Sequence, residues 1–249
     1  MKPSSDGCGC FPTGRHYPGI AHLMRVQASG IVAGFDPEAP WIDLPIALLD
    51  VETTGRESST DRVVELGIVI GRRGEIIERH EWLVNPEMPI PPEAQAVHKI
   101  TDEMVADKPT FAAIAQDVVR VLTGVVPAAY NASFDKGFVL AELFRAGIEG
   151  ELLPPSLQPS VEWLDPLVWA RELQKYEKGK TLGDVTARLG ITLDDAHRAS
   201  ADAEAALRVL YAFQKDMRMP KTYAALTQEQ KRLAREQEAE FRAWRSRRQ

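Results

Sequence analysis

Apolar and polar residues alternate with two different periods along the chain, and these periods predict both strands and helices. Short apolar runs that end in turn residues predict four strands and one further strand end, at 46–51, 62–70, 75–84, 125–130 and 163–165. Apolar residues spaced three or four apart predict helices at 111–122, around 138–144, and at 167–173, 181–189 and 199–213. Short links between the first three strands predict an antiparallel meander. The later alternation of strands and helices predicts an α/β fold layered around one sheet.

The two ends of the chain lack the patterns of a packed domain. Residues 1–43 are rich in Gly, Pro and Ser without a sustained period, which predicts a poorly ordered N-terminal arm. Residues 216–249 alternate charges at helical spacing, which predicts a charged, solvent-exposed C-terminal helical tail. The domain that carries the core is therefore expected to span residues 44–215.

The length is enough for one large domain with ragged ends or for two small domains, and most of the chain is acidic. The 249 residues are 44% hydrophobic, which is enough for a sizeable core. The formal charge is −6, but residues 215–249 hold ten Lys or Arg and five Asp or Glu, so this end carries +5 and the remainder −11. An excess of acidic residues over positions 1–214 does not favour binding of nucleic acid by bulk charge. It is compatible with an acidic site that meets phosphate through metal ions.

Neither a membrane span nor a secretory signal is predicted. No apolar run approaches the ~20 residues that are needed to cross a bilayer. The first thirty residues contain no apolar signal-peptide core. Cys8 and Cys10 are the only cysteines, which argues against a disulfide framework. We therefore expect a cytoplasmic protein.

The first strand ends in two acidic residues that point the same way. Asp50 and Glu52 are two positions apart, and side chains on a strand alternate between its faces. Two adjacent carboxylates repel and raise each other's pKa unless a cation lies between them. Oxygen ligands favour Mg²⁺ or Mn²⁺. The pair therefore predicts a divalent-metal site, and the alternative is an exposed strand end where both acids only add solubility.

Three further candidate residues stand where helices begin. Asp135 opens the helix after the fourth strand, where a carboxylate also stabilises the helix dipole by about 0.3–1 kcal/mol. His197 and Asp202 lie at the start of the last long helix, and the alanines around Asp202 let that helix approach a neighbouring element closely. A capping or surface role for His197 and a solvated position for Asp202 are the alternatives. No one of these spacings decides between a functional role and a structural or surface role.

Together these residues form three motifs in a fixed order. The motifs are Leu-Asp-Val-Glu-Thr-Thr-Gly at 49–55, Tyr-Asn-Ala-Ser-Phe-Asp at 130–135 and Asp-Ala-His-Arg-Ala-Ser-Ala-Asp-Ala at 195–203, with Val-His-Lys-Ile-Thr at 97–101 between the first two. Over about residues 44–214 the chain resembles the DEDDh (DnaQ-like) 3′–5′ exonucleases, the family that includes the epsilon proofreading subunit of bacterial DNA polymerase III. The resemblance implies an α/β, ribonuclease H-like fold with a mixed five-stranded sheet flanked by helices.

The resemblance also implies hydrolysis with two Mg²⁺ or Mn²⁺ ions. It assigns Asp50 to both ions, and Glu52 and Asp202 to the first. It assigns Asp135 to the second ion, directly or through water. His197 would accept the proton of the attacking water, for which an unperturbed pKa of about 6.5 is suited.

The same resemblance assigns a group of residues to the terminal nucleotide. This group consists of Thr53, Thr54, His98, Asn131 and Phe134. An aromatic side chain that stacks on a base contributes about 1–3 kcal/mol and does not read sequence. For His98, a packing role is the alternative.

The reaction that the resemblance implies is the release of nucleoside monophosphates from the 3′ ends of single-stranded DNA. The alternatives are an RNA-trimming 3′–5′ exoribonuclease of the RNase T or oligoribonuclease kind, and a polymerase accessory subunit. The motifs do not separate DNA from RNA, because the 2′-hydroxyl is read by details of the pocket. The basic tail is a candidate docking helix for a protein partner, with Phe241 and Trp244 near its end. A nucleic-acid tether and a solvated end are the other interpretations of the tail.

Overall fold

One mixed sheet organises the protein. The computed structural model describes residues 30–192 and 198–247. The strands within these residues are β1 (Ile46–Thr53), β2 (Val63–Arg72), β3 (Glu75–Leu83) and β4 (Val126–Ala129), in the order β3-β2-β1-β4. The predicted meander is confirmed, because β1 pairs antiparallel with β2 and β2 pairs antiparallel with β3. The sheet is mixed because β4 pairs parallel with β1.

The expectation of a fifth strand is wrong, because the described residues contain four strands. Leu164 forms only an isolated parallel bridge with Ala128, in which the Leu164 amide donates to the Pro127 carbonyl at 2.9 Å. A helix begins at Pro166 with Asp165 as its N-cap. Proline has no amide hydrogen for a ladder and is preset for the first turn of a helix. The extended segment therefore ends before it is long enough to count as a strand.

Eight α-helices accompany the sheet within the described residues, besides three short 3-10 helices at Trp41–Asp43, Gly150–Leu152 and Pro155–Leu157. The α-helices are α1 (Pro92–His98), α2 (Asp102–Val105), α3 (Phe111–Val121), α4 (Ala132–Arg145), α5 (Pro166–Leu173), α6 (Leu182–Leu189), α7 (Ala199–Phe213) and α8 (Tyr223–Ser246). Among the helices described, none has the length and apolar character that crossing a bilayer requires.

The alternation of side chains along β1 sorts the main helices into two layers. Ala47 and Leu49 lie in a buried cluster with residues of α3 and α4. Ile46 and Leu48 lie in a second buried cluster with residues of α5 and α7. Because side chains on a strand alternate between its faces, Asp50 continues the row of Ile46 and Leu48. The candidate acid therefore points toward the layer that contains α7.

One face of the first half of α8 is buried, which differs from the expectation of a solvent-exposed tail. Tyr223, Leu226 and Leu233 belong to the buried cluster that contains α5. The segment before β1 runs beside the start of this helix, where the Trp41 amide donates to the Lys221 carbonyl at 3.1 Å. Nine of the 24 residues of α8 are charged, and they obscure its apolar face in the sequence. Only the packing of that face against α5 reveals it.

Candidate metal centre

Three carboxylates lie within reach of a single ion at the end of β1. Asp50 and Glu52 are half-buried on β1, and Asp202 lies in the first turn of α7. One carboxylate oxygen from each lies within 4.8 Å of the other two. All of these donors are oxygens, the ligand type that suits Mg²⁺ and Mn²⁺, whereas structural zinc sites favour nitrogen and sulfur. The residues present therefore fit a hard divalent cation.

Asp135 approaches the same strand from the opposite layer. It lies in the first turn of α4 and is 3% exposed. Its Oδ1 accepts a hydrogen bond from the Val51 amide at 3.1 Å, between Asp50 and Glu52. After burial, the charge of Asp135 is the largest cause of the raised pKa of Asp50. The structure thus brings the four predicted acidic residues to one end of β1.

The buried acidic cluster is electrostatically costly without a cation. Burial raises the pKa of Asp50 well above its ordinary value, and the neighbouring acids raise it further. Burial, followed by the charges of Glu65 and Asp202, raises the pKa of Glu52 from 4.5 to about 8. Burial also raises the pKa of Asp135. Carboxylates in this state either hold protons or share a cation, which is the electrostatic argument for a metal at this site.

We expect the metal-free protein to lose stability as the pH rises from about 5 to about 8. A carboxyl group whose pKa is raised by folding binds more protons in the folded state, so the free energy of unfolding falls with rising pH across that window. The pKa of Glu52, raised from 4.5 to about 8, defines the window. Thermal melting in a chelator at several pH values measures the slope. Mn²⁺ should cancel the slope, because the ion replaces the protons and binds the folded state.

The matched comparison for this pH dependence is Glu52→Gln, which removes one titrating group. In the same chelator, its melting temperature should fall less with rising pH than that of the unsubstituted protein. Equal slopes for the two proteins would show that the pKa of Glu52 is not raised by folding.

A glycine on β2 allows α7 to approach the sheet. Gly67 stands opposite Asp50 in the register of β1 and β2. A Cβ atom at this position would lie 2.3 Å from backbone atoms of both Ala199 and Ser200. Because these are backbone atoms, no change of rotamer relieves the clash. Gly67 therefore sets the distance between α7, which carries Asp202, and the strand that carries Asp50.

Gly67→Ala should weaken metal binding by displacing α7. The added methyl group must push the first turn of that helix, and Asp202 with it, away from β1. Overpacking of this kind costs about 1–3 kcal/mol in the free energy of unfolding. Disturbing the support of a ligand should raise the Mn²⁺ dissociation constant by about 10–100-fold. Chemical denaturation and calorimetric titration with Mn²⁺ measure the two effects.

The control for this glycine substitution is Gly183→Ala in the first turn of α6. A Cβ atom at Gly183 has nothing within 4 Å, so the added methyl group meets no neighbour. Equal Mn²⁺ affinities for the two alanine variants would contradict the spacing role of Gly67.

Glu65 is a buried acidic residue that the motifs did not indicate. It stands opposite Glu52 on β2 and is fully buried. Its Oε2 accepts a hydrogen bond from the Ala199 amide at 3.0 Å, and its Oε1 pairs with Arg198 at 2.8 Å, so it ties the start of α7 to the sheet. A lone charge inside an otherwise apolar strand was the available signal. His197, the residue before Arg198, lies outside the described residues.

Two of the predicted nucleotide-binding residues shape the loop after β1. Thr53 and Thr54 are both buried. The Thr53 hydroxyl donates to the Gly55 carbonyl at 2.6 Å, and the Thr54 hydroxyl accepts from the Arg62 amide at 2.9 Å. Burial lowers the pKa of the neighbouring His98, and a contact with the Thr53 backbone opposes this shift in part.

The other three nucleotide-binding candidates differ in exposure. His98 is buried, and its Nδ1 accepts a hydrogen bond from the Ile100 amide at 3.0 Å. Phe134 is half-buried, with its ring centroid 4.9 Å from that of Phe138. Asn131 is exposed and adopts a left-handed backbone conformation, φ 76°, directly before α4. Phe134 and Asn131 therefore keep surface that a ligand can contact.

Comparisons with known proteins are consistent with this arrangement. A family model named RNase_T and described as an exonuclease matches residues 48–210. The matched region contains all four acidic residues of the cluster and lies within residues 44–215, the range in which the sequence predicted the catalytic domain.

Two curated relatives share about a third of their aligned residues with this chain. The 3′–5′ exonuclease DinG of Bacillus subtilis (strain 168) is 32% identical over 158 residues, which are 63% of this chain and 16% of that protein. The DNA polymerase III subunit epsilon of Treponema pallidum (strain Nichols) is 32% identical over 160 residues, which are 64% of this chain and 72% of that protein. The chain thus spans a small part of the first relative and most of the second.

A solved structure of exonuclease X in complex with 5′ overhanging duplex DNA has the same fold. It matches with a TM-score of 0.55 and 27% identity, over 73% of this chain and 99% of that chain. This likeness confirms the mixed α/β, ribonuclease H-like architecture. The family match and the named relatives confirm the resemblance to DnaQ-like exonucleases. The chain belongs to the RNase_T exonuclease family.

Proposed function

We propose that the chain is a metal-dependent 3′–5′ exonuclease that releases nucleoside monophosphates from single-stranded DNA ends. The observation that carries the proposal is the convergence of Asp50, Glu52, Asp135 and Asp202 at one end of β1. These residues come from three distant parts of the sequence. Hydrolysis of a phosphodiester requires an activated water, neutralised phosphate oxygens and a stabilised leaving oxygen. Divalent ions held by carboxylates would supply all three.

Asp50 has acidic neighbours on both sides, so we assign it to both of two Mg²⁺ or Mn²⁺ ions. Glu52 and Asp202 would complete the set around the first ion, and Asp135 would hold the second. Bound in this way, such ions supply charge stabilisation for the attacking and leaving oxygens. The fold itself keeps these carboxylate oxygens together at one end of β1 despite their mutual repulsion.

We assign His197 as the base that takes a proton from the attacking water on an imidazole nitrogen. An unperturbed imidazole has a pKa of about 6.5, which suits proton transfer near neutral pH. His197 directly precedes Arg198, and the guanidinium of Arg198 pairs with Glu65 and Glu81.

The terminal nucleotide is proposed to lie against Phe134 and the loop of Thr53 and Thr54. Phe134 keeps part of its ring exposed, and a base stacked there would gain about 1–3 kcal/mol without sequence preference. Asn131 is exposed and offers an amide for hydrogen bonds. His98 is buried and its pKa is lowered, so its ring would be a neutral group behind this pocket near pH 7.

Support for DNA as the substrate comes from the relatives. Exonuclease X was solved with 5′ overhanging duplex DNA, and two of the relatives are named as DNA polymerase III proteins, an epsilon subunit and a PolC-type enzyme. The proposed direction follows from the 3′–5′ exonuclease named among them.

The experiment uses 5′-labelled single- and double-stranded DNA and RNA oligonucleotides, with and without Mg²⁺ or Mn²⁺. We expect a ladder that shortens from the 3′ end of single-stranded DNA, and only when the metal is present. Shortening from the 5′ end would overturn the direction, and cleavage of RNA alone would overturn the substrate. Protein that carries Asp50→Asn, purified in the same way, is the control for a contaminating nuclease.

A further inference from the structure

A glutamine in the C-terminal helix bonds to the backbone of residues 163–165, the extended segment that lies beside β4. Gln230, on α8, is 1% exposed. Its Oε1 accepts a hydrogen bond from the Asp165 amide at 2.8 Å, and its Nε2 donates to the Trp163 carbonyl at 2.8 Å. One side chain thus pairs with the backbone on both sides of Leu164, as a neighbouring strand would. Leu164 itself bridges to Ala128 on its other side.

The carboxylate of Asp165 connects this segment to the first turn of α4. Its Oδ1 accepts from the Asn131 amide at 3.0 Å, and its Oδ2 accepts from the Ala132 amide at 3.0 Å. The same Oδ1 also caps α5 by accepting from the Leu167 amide at 2.8 Å. Because helix N-termini leave their first amides without intrahelical partners, one carboxylate satisfies two helices at once.

Asp135 lies in the first turn of α4, three residues after Ala132, the second of the two amides that Asp165 caps. Its carboxylate must meet the Val51 amide on β1, at 3.1 Å, to join the acidic cluster. The position of that carboxylate therefore depends on where α4 begins, and the start of α4 depends on Asp165.

We propose that Gln230 is a positioning residue for the metal centre, acting through Asp165 and the first turn of α4 on Asp135. The proposal rests on the proposed function for its catalytic meaning. Removing the carboxamide leaves the Asp165 amide and the Trp163 carbonyl buried without partners, a state that native proteins avoid. The segment then shifts toward new partners, and the capped end of α4 shifts with it. The family model matches as far as residue 210, so Gln230 would support the metal centre from a helix that lies outside the matched region.

Gln237 provides a matched control on the same helix. Its Nε2 donates to the carbonyl of Val168, the third residue of α5, at 2.9 Å, which is again a bond from α8 to the backbone. That bond contacts neither Asp165 nor the start of α4. Gln230→Met and Gln237→Met each remove one such anchor and keep the length of the side chain, so a general loosening of α8 affects both variants.

Hydrogen exchange measured by NMR tests the proposal without any assay of activity. In Gln230→Met, the Asn131 and Ala132 amides should exchange about tenfold faster than in Gln237→Met, because a displaced Asp165 weakens the hydrogen bonds that it accepts from them and local opening becomes easier. Calorimetric titration should show a Mn²⁺ dissociation constant raised by a similar factor in Gln230→Met alone. On an oligonucleotide substrate, kcat should fall in that variant while KM changes less than about twofold.

Equal exchange rates and equal Mn²⁺ affinities in the two methionine variants would overturn the positioning role. Circular dichroism establishes that both variants are folded. If Gln230→Met does not fold, Gln230→Asn takes its place with Gln237→Asn as its control, because asparagine keeps a carboxamide but is one methylene shorter and so reaches the two backbone partners less well. An unsubstituted protein without nuclease activity would refute the proposed function, and the exchange comparison would still decide whether Gln230 positions α4.

Discussion

Asp50→Asn is expected to abolish metal-dependent cleavage of DNA, a loss of roughly 10³-fold or more. Asp50 is the residue assigned to both ions, so its replacement weakens both positions. Metal ions supply several kcal/mol of charge stabilisation in the transition state. Each ~1.4 kcal/mol of lost stabilisation lowers the rate tenfold. Asparagine has nearly the same shape as aspartate, so the strand should keep its packing.

The same substitution should act in the opposite direction on the stability of the metal-free protein. Burial and the charges of Asp135 and Glu52 raise the pKa of Asp50, which means that its charged form is destabilised in the folded state. A neutral asparagine removes that repulsion. The melting temperature in a chelator near pH 8 should therefore rise. A variant that is more stable and yet inactive cannot owe its inactivity to misfolding.

Initial rates over a series of Mn²⁺ concentrations and thermal melting in a chelator measure these two effects. The control is Asp117→Asn on α3, because Asp117 is an exposed acid paired with Arg120 at 2.9 Å, three residues along the helix. It should change neither the rate nor the metal-free melting temperature appreciably. An Asp50→Asn protein with an unchanged rate and unchanged Mn²⁺ binding would remove Asp50 from the metal site.

His197→Ala should lower the cleavage rate by roughly 10²–10⁴-fold while the fold stays intact. The proposed role of this residue is proton transfer, so its loss should reduce kcat and leave metal binding nearly unchanged. The pH profile adds a second readout. The rate of the unsubstituted protein should fall as the pH drops below about 6.5, because the imidazole is then protonated, and this limb should be lost in the variant.

His80→Ala is the control for the histidine substitution. His80 lies on β3, pairs with Glu78 at 3.0 Å and stacks on Trp82, and it takes no part in the acidic cluster. It should keep both the rate and the pH profile of the unsubstituted protein. A His197→Ala protein that does the same would show that another group serves as the base.

The motifs predicted the acidic cluster well because strand geometry is regular. Asp50 and Glu52 must share a face of β1, since side chains alternate along a strand. The order of the motifs then assigned Asp135 and Asp202 to the same site. No motif indicated which residues of β2 stand opposite the acidic residues of β1. Neither Glu65, opposite Glu52, nor Gly67, opposite Asp50, belongs to a motif, and their importance comes from the contact of β2 with the start of α7.

The expectations for the edge of the sheet failed for a different reason. The resemblance implied a five-stranded sheet and the apolar pattern predicted a strand end at 163–165, but a helix begins at Pro166 and leaves a single bridge. The charge pattern predicted a solvent-exposed C-terminal helix, but Gln230 on that helix is buried and bonds to the backbone of this same segment. A polar residue in a charged helix gives no sign in the sequence that it will replace a strand partner.

Periodicity and motifs were enough to predict the order of the strands and helices, the family and the acidic residues that meet at β1, because each of these depends on short stretches of fixed spacing. How those acidic residues are supported is visible only in the folded protein. The closeness of α7 at Gly67, the anchor at Glu65 and the brace from Gln230 are contacts between residues far apart in the chain. Such contacts are set by packing, and packing is fixed only when the whole chain has folded.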